Sequence, residues 1–476
     1  MPNQESKSRP ALLKMLPSIT EILTHSVVAA IHMKYPERYI HQCARRVVED
    51  TRQDILQGVI TDAEHFPRIE QLAARCVKLV QTGLENRLLR AINGTGVILH
   101  TGLGRAPLSN SARKALIEAA ARYCLLAVDR DTGRRGDRHI HCDELLCELT
   151  GAESSLVVNN NSAAVMLALN TFGAGREAIV SRGELVEIGG SFRVPDVMKR
   201  SGTIMVEVGT TNKTHLRDYR EAITDATSVL LKVHTSNYRI EGFHQEVGIR
   251  ELSALARERN LIVVMDIGSG ALVDIRRWGL PYEPTVPEAV ADGADVVTFS
   301  GDKMLGGPQS GIIVGRRELI DRMKKNPLMR ALRCDKLIIA ALFGTLRLFL
   351  EPDDLPQNHP VYRMLSEPQE IVQRRASRLA RRLKATAGEA LKLRITGGTT
   401  EMGSGSLPAR GIPSRVVIVT SNRFKPDELA RRLRQAYPPV FTRVEENSVI
   451  IDARTVADEE ISLIVEAFKQ ALGAGL

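Results

Sequence analysis

Lys303 stands just beyond the apolar run Val296-Val297-Thr298-Phe299, inside Ser300-Gly301-Asp302-Lys303-Met304-Leu305-Gly306-Gly307-Pro308. Ser-Gly-Asp suits a tight turn, and Gly-Gly-Pro stops helix propagation and lets backbone approach whatever the lysine holds. A desolvated ε-amine loses its proton readily and can attack an aldehyde. For one lysine alone, a solvated loop residue is the plainer reading. Asp266 closes a second apolar run, Leu261-Ile262-Val263-Val264-Met265, 37 residues upstream of the lysine. That spacing is about one strand–helix–strand unit, which brings both groups to nearby strand ends, where open α/β sheets bind ligands. A third run, Asn159-Asn160-Asn161-Ser162-Ala163-Ala164-Val165, passes from a strand into a helix. The free N–H groups and positive dipole end of such a helix favour a phosphate, although a plain turn with an N-cap explains the run equally well.

Taken together, the three features match what pyridoxal 5'-phosphate requires of a protein: a lysine for the aldehyde, a carboxylate for the ring nitrogen and a cradle for the phosphate. The expected roles are Lys303 for the aldehyde, Asp266 for the nitrogen, and Asn160, Asn161, Ser162 and Ala163 for the cradle. Their order along the chain is that of the aspartate-aminotransferase-like class, fold type I. The α/β reading has its own support. Between Ala152 and Gly315 strands are expected at Ser155 to Val158, Ala178 to Ser181, Ile204 to Val208, Ser228 to His234, Leu261 to Met265, Asp295 to Phe299 and Gly311 to Val314. Helical patterns alternate with them, which argues for a mostly parallel sheet covered on both faces.

Around this core the chain divides into three expected domains. Residues 1–90 read as helical, with Ile40, Cys43, Ala44, Val47 and Val48 at helical spacing after Pro36, and Ile69, Leu72, Ala73, Cys76 and Val80 on a second helix. An oligomerisation appendage and a nucleic-acid module both suit that segment. Residues 91–350 form the expected catalytic domain, entered at Asn93-Gly94-Thr95-Gly96 with a short strand at Val97 to His100. Residues 351–476 follow a charged linker near Glu351 to His359 and read as a small α+β domain with strands near Val416 to Thr420 and Ser448 to Asp452. Arg374, Arg378 and Arg382 share a helical face there. Such a row can meet a phosphate backbone, although a solvated face is the simpler reading.

Composition bounds the rest. The 476 residues, 43% hydrophobic and 25% charged, contain no run of eighteen apolar residues, so no membrane span is expected. Met1 to Pro10 is polar and lacks a signal-peptide core, from which a cytoplasmic location is expected. Six cysteines in a chain of this length make no disulfide framework. His139, His141, Cys142 and Cys147 have no metal-site spacing, so no metal is expected. The net charge of +9 permits a polyanionic partner.

Six runs then have a joint likeness: Leu99 to Leu108 (Leu-His-Thr-Gly-Leu-Gly-Arg-Ala-Pro-Leu), Arg182 to Arg193 (Arg-Gly-Glu-Leu-Val-Glu-Ile-Gly-Gly-Ser-Phe-Arg), Gly209-Thr210-Thr211-Asn212, His234-Thr235-Ser236-Asn237-Tyr238-Arg239, Ser300 to Gly307, and Arg330-Ala331-Leu332-Arg333. The chain resembles bacterial selenocysteine synthase, the seryl-tRNA selenium transferase family, over nearly its whole length. Gly102 and Ser162 depart from the family's usual Asn and Ala. The resemblance implies conversion of serine on tRNA(Sec) to selenocysteine, with selenophosphate as donor. Lys303 would hold the cofactor as an aldimine, β-elimination of water would give an aminoacrylate, and selenium would add to it. It also implies that Arg105, Arg138, Arg330 and Arg333 hold the anionic donor, that the N-terminal helices grip the tRNA, and that dimers assemble into a decamer. A β-eliminating lyase or cysteine desulfurase of the same fold, acting on a free amino acid, is the alternative.

Overall fold

The computed structural model describes residues 5–84, 88–188, 192–238, 240–406 and 411–473. Gly189, Gly190, Ser191 and Arg239, which belong to the family-like runs, lie outside the described residues. The chain divides into two compact units, Met1–Leu89 and Arg90–Leu476.

The first unit is helical. Helix α1 (Glu37–Leu56) buries Ile40, Cys43, Ala44, Val47 and Ile55, and α2 (Ile69–Leu84) buries Leu72, Ala73, Cys76 and Val80. With the buried Thr51 between Val47 and Ile55, these positions fall on one face at helical spacing, so each set forms one stripe. Ile40 to Val47 of α1 and the α2 stripe share a core with Ile22 and Val28, and Ile55 packs with Leu12 and Ile60.

In the second unit a seven-stranded sheet positions the candidate site. Its strands are β1 (Ser154–Val158), β2 (Glu177–Ser181), β3 (Ile204–Val208), β4 (Thr227–Val233), β5 (Ile262–Ile267), β6 (Val296–Ser300) and β7 (Gly311–Gly315). They lie in the order β1-β7-β6-β5-β4-β2-β3, parallel except for β7, which runs against both neighbours. Each expected strand is present, with ends shifted by at most two residues. Alternate residues feed opposite faces. Leu230, Val263, Val297 and Ile312 enter one apolar cluster, and Leu231, Val264, Val296 and Ile313 enter the other. Helix α3 (Asn161–Gly173) follows β1 directly and packs in the second cluster. This is the expected α/β class, a mostly parallel sheet covered on both faces.

A second, antiparallel sheet comprises β8 (Leu391–Thr400), β9 (Ile412–Ser421), β10 (Arg443–Glu445) and β11 (Ser448–Asp452), in the order β8-β9-β11-β10. Helix α4 (Gln369–Ala387) and the helix Ile461–Leu472 share its core.

Two local expectations differ from the structure. Val97 to His100 is not a strand: Val97 makes an isolated bridge to Glu401, and the N–H groups of Ile98 and Leu99 donate to Glu401 and Met402. Left-handed Gly96 before it and the 3-10 turn Thr101–Leu103 after it leave no length for a ladder. The segment Glu351 to His359 is not a linker. It forms short helices, Pro352–Asp354 and Leu355–Asn358, because Leu355 and His359 are fully buried in the apolar cluster that holds Phe349 and Tyr362. In the arginine-rich helix α4, Arg374, Arg378 and Arg382 are exposed, as the simpler reading has it, with Arg378 3.7 Å from Asp458 and Arg382 donating to Ser462, while the neighbouring Arg375 is buried on Glu367 and Asp458. Among the described residues no helix is long and apolar enough to cross a membrane.

Candidate active site

Lys303 and Asp266 meet at the carboxyl edge of the sheet. Asp266 is the penultimate residue of β5, opposite Val233 of β4 and Thr298 of β6. Lys303 lies on the turn that joins β6 to β7. Both are buried, at 4% and 5% exposure. Gly306 gives this turn its shape: its φ is +63°, and a Cβ there would overlap the imidazole of His359. His359 in turn braces the loop, with Nε2 donating to the Leu305 carbonyl at 3.0 Å and Nδ1 accepting from the Val361 N–H.

Burial sets the electrostatics of the pair. It lifts the Asp266 carboxyl above its usual range, against the hydrogen bonds from Asn161 and Thr298 and the charge of Lys303. Burial likewise lowers the Lys303 amine, which Asp266 opposes and Arg105 reinforces. Asn161 Nδ2 and Thr298 Oγ1 both donate to Asp266 Oδ1, at 2.8 and 3.0 Å. Oδ2 is therefore left to meet a donor inside the site, as the ring nitrogen of a protonated pyridine would.

The helix start divides its labour in a way the sequence did not reveal. Asn160 is the N-cap of α3, its Oδ1 accepting from the Ala163 N–H at 2.9 Å. Asn161 serves Asp266. The N–H groups of Asn161 and Ser162, the first two of the helix, have no acceptor within it and can face a phosphate. The four residues expected as a cradle thus sit together, but two of their side chains orient neighbours.

The arginines fall into two places. Arg138, Arg330 and Arg333 line one cavity with Arg135, Lys324 and His139. The cationic neighbours Arg330 and Arg138 hold Arg333 below the usual guanidinium range. Such a concentration of like charge suits an anion. Arg333 bridges Val158 and the Leu332 carbonyl accepts from the Asn159 N–H, so this segment lies against the strand end that leads into α3. Arg105 is elsewhere. Its Nη1 donates to Asp302 at 2.6 Å, immediately before Lys303.

Sequence reasoning missed other polar groups here. A Cβ on Gly268 would lie 3.5 Å from Ser236 Oγ and 3.6 Å from Lys303 Nζ, which places the hydroxyl and the amine in front of the same backbone. Ser236 Oγ, Asn161 Oδ1, His234 Nδ1 and Glu283 Oε1 are buried without a hydrogen-bond partner. Buried polar atoms without partners are costly, so these fit a site that receives a polar ligand. The strand-end position of His234-Thr235-Ser236 was the one signal available for them. Glu184, in a family-like run, is instead structural: it accepts from Lys232 Nζ and the Val233 N–H.

The family comparisons agree on one assignment. The L-seryl-tRNA selenium transferase family model matches residues 91–457. The L-seryl-tRNA(Sec) selenium transferase of Nitratidesulfovibrio vulgaris is 46% identical over 470 residues, covering 97% of this chain and 99% of the relative. That of Carboxydothermus hydrogenoformans is 47% identical over 450 residues, covering 94% and 96%. Among solved structures, D-glucosaminate-6-phosphate ammonia-lyase shares the fold with a TM-score of 0.56 and 21% identity, over 83% of this chain and 97% of that one. With a matching family model over most of its length and relatives this similar end to end, the chain belongs to the L-seryl-tRNA selenium transferase family.

Proposed function

We propose that this protein converts serine esterified to tRNA(Sec) into selenocysteine on the same tRNA, with pyridoxal 5'-phosphate as cofactor and selenophosphate as donor. The observation that carries the reading is the buried pair Lys303 and Asp266 at neighbouring strand ends, in a chain of this family. Pyridoxal phosphate, when bound, supplies an electron sink for a carbanion at the substrate's α-carbon. Asp266 holds a proton on the ring nitrogen through Oδ2, oriented by Asn161 and Thr298. The first N–H groups of α3, at Asn161 and Ser162, face the phosphate, with Asn160 and Ala163 fixing the helix start. Lys303, its amine lowered by burial, takes the α-proton as a general base.

The seryl carboxyl is esterified, so no arginine is needed for a free α-carboxylate. Arg138, Arg330 and Arg333 instead hold the anionic donor, since guanidinium forks suit phosphate-like oxygens. Arg105 joins them from beside Lys303 by exchanging Asp302 for the anion. In this reading residues 1–90 bind the tRNA, 91–350 carry the chemistry and 351–476 form the small domain. The protein works in the cytoplasm as a homo-oligomer, at least a dimer and by family likeness a decamer. Exposed Ile117, Tyr123 and Leu125 support self-association. The test offers seryl-tRNA(Sec) or free serine, each with selenophosphate, and identifies the product. Selenocysteinyl-tRNA from the first and nothing from the second is expected; equal turnover of free serine would overturn the reading.

A further inference from the structure

Glu283 and His234 are two buried groups for which the reaction outlined above has no use. His234 follows directly on β4, and its backbone N–H donates to the Asp266 carbonyl at 2.9 Å. Glu283 comes from the loop between the 3-10 helix Ile275–Trp278 and the helix Val286–Ala291. Their side chains converge, with Glu283 Oε1 3.8 Å from His234 Nδ1, and both atoms lack a hydrogen-bond partner. Both residues line a cavity of about 380 Å³ with Thr235 and Tyr238, a volume in the range of small-molecule sites. Glu283 and Lys303 lie within each other's electrostatic field.

A carboxyl this deeply buried, with no cation in contact, resists ionisation and keeps a substantial protonated fraction near neutral pH. Burial pushes Glu283 up to about 7, against the Ser269 hydroxyl and the charge of Lys303. Burial also brings His234 down to about 4, so the imidazole is neutral and competes poorly for the proton. Lys303 is committed to the α-proton and Asp266 to the ring, which leaves the departing hydroxyl without a donor. Hydroxide is a poor leaving group, and an acid near neutral pH is what its departure needs.

We propose that Glu283, which lies beside His234, is the acid that protonates the seryl hydroxyl as it leaves. This rests on the function proposed above. As the bond from the β-carbon to oxygen breaks, its electron pair stays with oxygen, which takes the Glu283 proton and departs as water. The electrons of the α C–H bond, whose proton passes to Lys303, form the α–β double bond. The Glu283 carboxylate then takes the Se–H proton of the incoming selenophosphate as selenium bonds to the β-carbon, Lys303 returns its own proton to the α-carbon, and water attacks phosphorus so that the Se–P bond breaks, releasing phosphate and leaving the selenol. Both groups end as they began.

The test compares wild type, Glu283→Gln and Glu283→Asp, loaded with cofactor. Three readouts are taken: α-proton exchange of seryl-tRNA(Sec) in deuterated water without donor, selenocysteinyl-tRNA formation, and turnover of tRNA(Sec) charged with β-chloroalanine. Chloride leaves without a proton. Glu283→Gln is expected to exchange the α-proton at the wild-type rate, to lose roughly 100-fold or more in product formation at unchanged KM, and to process the chloro substrate as wild type does. Glu283→Asp, which keeps an acid at shorter reach, is expected to fall between and to be rescued in the same way. Exchange lost together with elimination in both variants, no rescue by chloride, or unimpaired turnover of Glu283→Gln would each overturn the assignment. A wild-type protein that neither exchanges nor turns over seryl-tRNA would instead overturn the function on which it rests.

Discussion

Asn161 Nδ2 donates to Asp266 Oδ1 at 2.8 Å, joining the first residue of α3 to a carboxylate 105 residues further along the chain. With Thr298 on the same oxygen, this contact decides which face of the carboxylate is left for a ligand. Asn161→Ala removes one of two anchors, and a hydrogen bond to a charged group contributes about 1.5 to 3 kcal/mol. The expected outcome is cofactor affinity weakened by roughly tenfold or more, measured by titrating the apoprotein with pyridoxal phosphate. Unchanged affinity would show that Asp266 needs no orientation from α3.

The arginine cavity makes a separable prediction. Arg330→Ala and Arg333→Ala each reduce the local positive charge without touching Lys303 or Asp266. Both variants should keep the visible absorbance of bound cofactor and lose selenium incorporation, read as selenocysteinyl-tRNA formed. Normal turnover in both would remove the donor-binding role.

The helical unit Met1–Leu89 has its own apolar core, so its removal leaves the core of the other unit intact. A chain starting at Arg90 should keep cofactor absorbance and lose tRNA(Sec) binding, measured by filter binding or gel shift. Unchanged affinity for tRNA would place the RNA contacts elsewhere.

His359 predicts a pH dependence of stability. Burial lowers its imidazole from an ordinary 6.5 to about 4, and its two nitrogens already act as one donor and one acceptor. Below pH 6.5 the unfolded chain binds this proton and the folded chain does not. Stability is therefore full above 6.5, falls as pH drops from 6.5 to 4 and levels off below 4, by about 3 kcal/mol in all. His139 and His234, also lowered to about 4, add to the slope over the same range, so denaturant midpoints should slope in wild type and slope measurably less, though not flatten, in His359→Gln.

The central sheet was legible because buried parallel strands such as Val296-Val297-Thr298-Phe299 are continuous β-branched or aromatic runs bounded by turn residues. The strand β8 was not, since Lys-Leu-Arg-Ile-Thr-Gly-Gly mixes charge with glycine along an edge. Lys303 and Asp266 could be read because Asp266 closes an apolar run and Lys303 follows one at a Gly-rich turn; their burial and proximity are seen in the structure. Glu283 and His234 could not be paired in advance, as a lone acid in a Pro-rich loop has no periodicity to tie it to a strand end 49 residues away. The Arg374, Arg378 and Arg382 row reads as a solvated face and is exposed; the contacts of Arg378 with Asp458 and Arg382 with Ser462 were not legible because those partners come from a distant segment.

The most direct test of the central claim is chemical. Purified protein is reduced with borohydride, digested, and its peptides mapped by mass. The account predicts a pyridoxyl group on Lys303, within Ser-Gly-Asp-Lys. A protein that carries no such group, or carries it on another lysine, would contradict it.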